Sequence, residues 1–366
     1  MKRVLYITTV SRTVNAFLIP HIEMLLENSY HVDVATSIDK PIEQRLLQKG
    51  VRIHEISFAR NPLQIGNIKA LMKLIKLQKK EPYDMVHVHT PIAALVGRLL
   101  KLFFPTLKTI YTAHGYHFLK GGSQMGWLIY YPIEKLMAKF TDVTITLNQE
   151  DYVITTQKLK PKQTYLMNGV GLELSVYSEQ DASFSAQKRK ELALLPDDFV
   201  VIMIAELNEN KNQRQLIEAM SLLNERYPSI KAICVGEGLK RSELEDLTDK
   251  LKANVSFLGF RTDVEALINV ADMGILLSYR EGLPRNLMEL LACGRPVVGT
   301  NIRGIRDIIS TDEIGKIVPL HDATKTAEAI EALYLKRLNK DVVKSHAKQY
   351  DVAVICEQLR QIYETV

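Results

Sequence analysis

The sequence has little cysteine and no long apolar run, and each shortage excludes a class of protein. The three cysteines, Cys234, Cys293 and Cys356, lie far apart in the chain, which excludes a disulfide framework and favours a reducing cytoplasm. No segment reaches the roughly 18 consecutive apolar residues that a membrane-spanning helix needs. The apolar run in Met1–Thr9 is too short for a signal peptide. We therefore expect a cytoplasmic chain that does not cross a membrane by itself.

Three kinds of binding motif are absent as well. No predicted strand is followed by a complete Gly-x-Gly-x-x-Gly fingerprint, which argues against a dinucleotide-dependent dehydrogenase. The basic residues are dispersed on predicted helices without a recognised nucleic-acid module, so no nucleic-acid partner is expected. His87 and His89 alternate on a predicted strand, yet no carboxylate or third ligand lies at a metal-like spacing. The sequence therefore predicts neither a metal site nor a cofactor.

What is present is the composition of a two-domain globular protein. The chain has 366 residues, 46% of them hydrophobic and 24% charged, and domains usually hold roughly 100 to 200 residues. The net charge of +5 hides an asymmetry, because residues 1–170 contain 22 lysines and arginines against 12 acidic residues. A basic half beside an acidic half favours contact with an anionic surface or acceptor. The alternative is a solvated charge distribution without a partner.

Strand-like apolar runs alternate with segments of helical period, which is the pattern of a parallel α/β sheet. In the first half the predicted strands are Arg3–Thr8, His31–Ala35, Met85–His89, Thr109–Ala113 and Val143–Leu147. After the turn-rich residues 168–171 the predicted strands are Val200–Ala205, Ala232–Val235, Val255–Leu258, Met273–Leu277 and Pro296–Thr300. We predict the α/β class with two Rossmann-like, doubly wound domains over 1–170 and 171–349. Ligands bind such sheets at the carboxyl ends of the strands, so a cleft between the domains is the expected site.

The sharpest motif is the segment 278–289, which leaves a predicted strand and opens a predicted helix. A helix N-terminus offers unpaired N–H groups and a favourable dipole, so a diphosphate can bind there. Gly282 permits close approach of the backbone. Glu281 and Glu289 are carboxylates that can accept hydrogen bonds from the hydroxyls of a sugar and a ribose. The alternative is a capping carboxylate together with a glutamate on the helix surface.

In these residues the sequence resembles the family 4 retaining glycosyltransferases of GT-B fold, whose signature is Glu-x7-Glu. Glu281 and Glu289 match that signature. The resemblance implies that Glu281 contacts the donor sugar and Glu289 the ribose, that Lys211 binds the diphosphate, and that His114 lies near the reacting sugar. It also implies transfer on one face of the sugar, with the leaving phosphate deprotonating the acceptor. The final segment, about 350–366, is then expected to return to the first domain.

Two departures from the family pattern stand out. The position five before Lys211 is usually arginine in the family and is Glu206 here. Arg214 lies one helical turn beyond Lys211 and would supply the missing charge, although an exposed helical arginine is the ordinary interpretation. The first loop, residues 9–13, lacks the glycine pair that is common in relatives, which leaves the acceptor end undefined.

Resemblance and position at strand ends together predict the site. The predicted residues are His114, Glu281 and Lys211 for catalysis; Glu289, Arg214, Gly282, Leu283, Pro284, Arg285, Asn286, Gly236, Glu237, Phe260 and Arg261 for donor binding; and His89, His117 and Arg12 on the acceptor side. The expected donor is a UDP-sugar, because the resemblance implies a nucleotide diphosphate. A non-catalytic nucleotide-sugar-binding subunit is the alternative from another class.

A membrane partner is predicted from the lysine-rich segment 66–80, which pairs an apolar stripe with five lysines. A basic amphipathic helix can lie in an anionic lipid interface, although such a helix can equally pack its apolar stripe on the sheet. Resemblance to capsule and exopolysaccharide transferases implies a lipid-diphosphate-linked acceptor. The leading prediction is therefore a retaining, metal-independent glycosyltransferase of bacterial surface polysaccharide synthesis. It would transfer a sugar of N-acetylhexosamine type while peripherally bound to the inner face of the cell membrane.

Overall fold

The computed structural model describes the whole chain except residues 60, 62, 63, 120, 123, 178 and 179. It divides into two compact units. The first unit comprises Met1–Gly171 together with Val352–Val366, and the second unit comprises Leu172–Asp351. Each unit is built on its own parallel sheet, so each is described by itself below.

The first unit contains a seven-stranded parallel sheet in the order β3-β2-β1-β4-β5-β6-β7. Its strands are β1 Arg3–Val10, β2 His31–Ser37, β3 Ile53–Glu55, β4 Met85–His89, β5 Lys108–Ala113, β6 Val143–Thr146 and β7 Gln163–Leu166. The central strand β4 is buried at every residue, as expected of a strand covered on both faces by helices. The strand order reverses direction between β1 and β4, which is the arrangement of a doubly wound sheet.

Helices cover this sheet. They are α1 Ser11–Thr13, α2 Ile19–Glu27, α3 Gln44–Gln48, α4 Ile65–Lys80, α5 Pro91–Leu99, α6 Tyr131–Met137 and α7 Gln149–Ile154. α5 packs closely on the sheet because its residue 97 is glycine: a Cβ there would lie 2.5 Å from Cγ1 of Val88. A larger residue at Gly97 would therefore push α5 away from β4.

A buried ion pair joins two helices of the first unit. Arg98 of α5 donates from Nη1 and Nη2 to the two carboxylate oxygens of Glu134 in α6, at 2.8 and 2.9 Å. Its guanidinium also lies over the ring of Tyr111, 4.3 Å from the centroid. This paired arrangement satisfies the charge of an arginine that is almost completely buried.

The second unit contains a six-stranded parallel sheet in the order β10-β9-β8-β11-β12-β13. Its strands are β8 Phe199–Ile204, β9 Ile230–Val235, β10 Val255–Gly259, β11 Met273–Leu276, β12 Val297–Thr300 and β13 Gly315–Val318. Its helices are α8 Ala182–Glu191, α9 Gln213–Leu223, α10 Arg241–Leu251, α11 Val264–Val270, α12 Arg285–Ala292, α13 Ile305–Ile308, α14 Ala323–Leu335 and α15 Lys340–Ala347. The aliphatic strands β8 and β11 form the centre of its core.

The chain leaves and re-enters the first unit at adjacent points. Gly171 has a φ of +91°, and a Cβ there would lie 3.0 Å from Cα of Val352. On the other side of this junction, the amide of Leu172 donates to the carbonyl oxygen of Tyr350 at 2.8 Å. The last helix, α16 Val352–Glu364, then packs on the first unit, where the Tyr363 hydroxyl contacts His87.

α4 carries apolar side chains on two faces. Ala70 and Leu74 are buried in the core of the first unit, whereas Ile65, Ile68 and Met72 are exposed. Lysines flank this outward apolar stripe along the helix. None of the helices in the described part of the chain is long and apolar enough to cross a membrane.

Candidate active site

In the second unit, the loops that follow three neighbouring strands meet at the carboxyl edge of the sheet. Lys211 follows β8, Glu281 follows β11 and Arg303 follows β12. The Lys211 Nζ lies 2.6 Å from Oε1 of Glu281. The two predicted catalytic residues of this unit, 70 positions apart in the sequence, are therefore brought together by the parallel topology.

The backbone around Glu281 is held from both sides. Asn210, which precedes Lys211, donates from Nδ2 to the carbonyl of Arg280 at 3.0 Å and accepts from the amide of Tyr279 at 2.8 Å. Arg303 donates from Nε to the carbonyl of Glu281 at 3.1 Å. These contacts fix the position from which the Glu281 side chain extends.

The predicted diphosphate cradle opens α12. Pro284 is the N-cap residue, and proline has no side-chain group that could cap the first helical N–H groups. Asn286 ties this turn to the sheet by donating from Nδ2 to the carbonyl of Ile204 at 2.7 Å. Gly282 lies against Gly304, where a Cβ on Gly304 would come within 2.2 Å of the Gly282 oxygen. Leu283 packs beside the core of the unit.

Glu289 is held in place by two donors. The Tyr177 hydroxyl donates to Oε1 of Glu289 at 2.8 Å, and Nε of Arg285 donates to the same oxygen at 3.0 Å. Burial raises the pKa of the Glu289 carboxyl, and both hydrogen bonds oppose that shift. Tyr177 was not predicted from the sequence, and its spacing carries no signal for the contact.

Arg214 does not join Lys211 and Glu281. Its guanidinium donates from Nη2 to Oε1 of Glu243 in α10 at 3.0 Å, because it projects from the exposed side of α9. The side chain of Glu206 is exposed, and its carbonyl accepts from Nε2 of Gln213 at 2.9 Å. The expectation that Arg214 replaces the family's arginine therefore finds no support in this geometry. Arg303, which was not predicted, is the buried arginine that contacts the Glu281 loop.

The residues expected near the nucleobase surround the ends of β9 and β10. Gly236 donates its amide to the carbonyl of Gly259 at 2.8 Å, and its φ of +142° with a Cβ position 2.2 Å from the Ala205 oxygen requires glycine. Glu237 pairs with Arg241 at 2.7 Å. Arg261 pairs with Asp263 at 2.6 Å, and Phe260 is 74% exposed. Phe260 thus offers an open aromatic face, whereas the two charged residues already have partners.

In the first unit, His89 ends β4 and His114 follows β5, the neighbouring strand. His89 Nδ1 and His114 Nε2 are 3.2 Å apart. His89 is completely buried, so it does not present its ring to an acceptor as predicted. Burial lowers the pKa of His114 to about 4, with a further lowering from nearby His21. Both imidazoles are therefore neutral at pH 7.

The other two predicted acceptor-side residues lie apart from this pair. His117 is exposed and stacks on Tyr130 with centroids 4.7 Å apart. Arg12 forms an ion pair with Asp39. His87, which the sequence offered as half of a metal site, instead lies between the Tyr363 hydroxyl and Oγ1 of Thr112, each at 2.8 Å. The described residues contain no group of three His, Cys, Asp or Glu side chains arranged to hold a metal ion.

Comparison with known proteins decides the family. Residues 184–350 match the family model described as glycosyl transferases group 1, and residues 3–148 match that described as glycosyl transferase 4-like. The chain is 34% identical over 372 residues to the putative glycosyltransferase EpsD of Bacillus subtilis, covering 99% of this chain and 96% of the relative. This chain belongs to the family 4 glycosyltransferases.

Two further similarities concern the relatives and the fold of this glycosyltransferase. An Escherichia coli relative named UDP-Gal:alpha-D-GlcNAc-diphosphoundecaprenol alpha-1,3-galactosyltransferase is 28% identical over 317 residues, covering 84% of this chain and 81% of its own. The crystal structure of Anabaena HepE in complex with UDP and glucose aligns over 100% of both chains with a TM-score of 0.81 and 20% identity. The predicted family and the predicted GT-B fold are thus confirmed.

Proposed function

We propose that this glycosyltransferase transfers a sugar, of N-acetylhexosamine type, from a UDP-sugar to a lipid-diphosphate-linked saccharide with retention of the anomeric configuration. The reaction would serve bacterial surface polysaccharide synthesis. The observation that carries the proposal is the 2.6 Å ion pair between Lys211 and Glu281 beside the start of α12. It unites a cation for the diphosphate, a carboxylate for the sugar hydroxyls and a helix N-terminus in one place.

Each member of this group has a charge role in the proposed reaction. As the glycosidic bond breaks, negative charge builds on the leaving diphosphate. The Lys211 ammonium and the N–H groups at the start of α12 would stabilise that charge. Glu281 would accept hydrogen bonds from the donor sugar, and Glu289 from the ribose. The leaving phosphate would take the acceptor proton, so no cofactor or metal is required by the proposal.

The acceptor part of the proposal is supported by the relatives. The name of the E. coli relative specifies a sugar attached to diphosphoundecaprenol as acceptor. An acceptor of this kind is embedded in a membrane, so the enzyme has to approach a lipid surface. We assign this approach to α4, whose outward face combines Ile65, Ile68 and Met72 with flanking lysines. Such a face suits peripheral contact with anionic lipid at the cytoplasmic leaflet.

The reaction is tested by incubating the enzyme with a panel of UDP-hexoses and UDP-N-acetylhexosamines and a lipid-diphosphate-linked sugar. Mass spectrometry identifies the product, and the anomeric proton coupling in its NMR spectrum reports retention or inversion. Glu281→Gln should abolish transfer while UDP still binds. Glu245→Gln is the matched control, because Glu245 is a partly exposed glutamate paired with Arg241 in the same unit.

Three outcomes distinguish the alternatives. Transfer from one donor with a retained anomer, lost only in Glu281→Gln, supports the proposal and names the donor. An inverted product would contradict the retaining mechanism. Binding of UDP without transfer from any donor would favour a non-catalytic nucleotide-sugar-binding subunit.

A further inference from the structure

The pair of histidines in the first unit has a geometry that decides how its protons are arranged. His89 ends β4, and the chain turns sharply at Thr90, which has a φ of +65°. His114 follows β5, which pairs with β4 in register His89↔Thr112. A hydrogen bond joins His89 Nδ1 and His114 Nε2 at 3.2 Å. One of these two nitrogens must carry the shared proton.

The surroundings of His89 are closed. Its ring stacks on that of Tyr6, with centroids 5.5 Å apart, and on that of His87, with centroids 4.3 Å apart. Its second nitrogen, Nε2, is buried and has no hydrogen-bond partner within the described part of the chain. Burial lowers the pKa of His89 well below its ordinary value, and the neighbouring histidines act in the same direction. His89 therefore holds one proton on one of its two nitrogens.

The two tautomeric arrangements differ in what they leave unpaired. If His114 donates from Nε2, then His89 must carry its proton on Nε2, where a buried N–H has no acceptor. If His89 donates from Nδ1, its Nε2 is a bare lone pair. Buried donors without acceptors are rarer in proteins than buried acceptors without donors. The second arrangement is thus favoured.

We propose that His89 is a positioning residue, which donates its Nδ1 proton to His114 Nε2 and fixes His114 as the Nδ1–H tautomer. His114 then offers a substrate oxygen a hydrogen-bond donor and has no lone pair available to act as a base. This role fits transfer in which the leaving phosphate takes the acceptor proton. The kinetic part of the inference rests on the proposed function, whereas the tautomer itself does not.

The tautomer can be measured directly in the wild-type protein. Two-bond and three-bond correlations between carbon-bound ring protons and the nitrogens of ¹⁵N-labelled histidine distinguish the two forms at pH 7. Loss of the relevant signals in His114→Gln assigns the ring. We expect His114 to carry its proton on Nδ1. A proton on Nε2 of His114 would overturn the proposal, whether or not any transferase activity is detected.

Two variants test the positioning role. His89→Phe keeps a stacked ring but removes the donor, so His114 should lose its fixed tautomer. The kcat for transfer should then fall by about 10- to 100-fold, by analogy with the loss seen when partners that orient metal-binding imidazoles are removed. His89→Asn places an amide N–H near the former Nδ1 and should restore the tautomer and part of kcat. UDP affinity, which depends on the second unit, should stay unchanged in both variants.

A purely space-filling role for His89 makes a different prediction. If His89 only fills space, His89→Phe should retain the His114 tautomer and kcat, and His89→Asn should be the worse variant because it leaves a cavity. His87→Phe is the matched control, since His87 is equally buried on the same strand but contacts Thr112 and Tyr363 rather than His114. Its His114 spectrum should remain that of the wild type.

Discussion

The two units share one architecture but present opposite chemistry at the carboxyl edges of their sheets. In the second unit the edge carries full charges that are paired with each other, as in Lys211 with Glu281 and Arg285 with Glu289. In the first unit the edge carries two neutral imidazoles in contact with each other, the buried His89 and the partly buried His114. The contrast shows that the same loop positions carry paired charges in one unit and neutral, hydrogen-bonded rings in the other.

Removal of a charge from the second unit should have the largest effect. Lys211→Met takes away the cation proposed to stabilise the leaving diphosphate and leaves Glu281 without its partner. We expect kcat to fall by about 100- to 1,000-fold, as for other donors aimed at developing negative charge. Lys240→Met is the control, because Lys240 pairs with surface glutamates of the same unit. Equal losses in both variants would count against a specific role for Lys211.

The second-largest effect should be a loss of stability of the first unit as the pH falls. His21 donates from Nε2 to the carbonyl of Val170 at 2.8 Å, and burial lowers its pKa to about 4. Below the ordinary histidine pKa of about 6.5 the unfolded chain binds more protons than the folded one, so the free energy of unfolding falls. The expected loss is about 1.4 kcal/mol per pH unit for each such histidine, down to about pH 4.

The single tryptophan makes this loss measurable in one unit. Trp127 lies in the first unit, so its fluorescence during urea unfolding reports that unit. The slope of stability against pH between about 6.5 and 4 should be shallower in His21→Gln than in the wild type. The exposed His117→Gln should keep the wild-type slope. Identical slopes in all three proteins would show that His21 does not carry the effect.

Substitutions on the outward face of α4 should have the next-largest effect, which is measured as a loss of lipid binding. Lys69→Gln with Lys73→Gln should weaken binding to vesicles of mixed phosphatidylglycerol and phosphatidylcholine by about 2 kcal/mol, at about 1 kcal/mol for each lysine. Sedimentation with vesicles measures this as about a 30-fold loss at low salt. Lys250→Gln with Lys325→Gln removes the same charge from the second unit. If that control loses as much, net charge rather than α4 determines binding.

The smallest expected effect concerns Glu289, the carboxylate proposed to bind the ribose. Tyr177→Phe removes one of two donors to Glu289 and leaves Arg285 in place. A hydrogen bond of this kind contributes about 1 kcal/mol, so KM for the UDP-sugar should rise by about fivefold with kcat little changed. Tyr334→Phe removes a hydroxyl that contacts Ser229 elsewhere in the unit. An unchanged KM in Tyr177→Phe would contradict the proposed role of Glu289 in ribose binding.

The central strands of the two sheets could be predicted from the sequence, whereas several edge strands could not. β8 and β11 are apolar runs bounded by polar residues, and their burial on both faces produces that pattern. The edge strands β3, β7 and β13 were not predicted, because short, half-exposed strands carry little apolar signal. α8 carries little signal for a related reason, since its sequence is mostly polar and has almost no apolar periodicity.

Only part of the candidate site could be predicted from the sequence. The pairing of Lys211 with Glu281 agrees with their common placement at strand ends, although their individual roles came from the resemblance. Arg303 follows β12 by three residues, so a search of every strand end would have found it. Tyr177 and the partners of Arg214 depend on how helices pack, and spacing along the chain does not encode those contacts.

The junction at Gly171 and Val352 has a consequence for how such enzymes can be recombined. Because the first unit is interrupted at two adjacent backbone positions, the second unit is an insertion whose two ends meet at Leu172 and Asp351. An exchange of the whole second unit therefore needs only two splice points, which lie side by side in the structure. A chimaera built at these points would keep α16 joined to its own sheet while carrying the second unit of another enzyme.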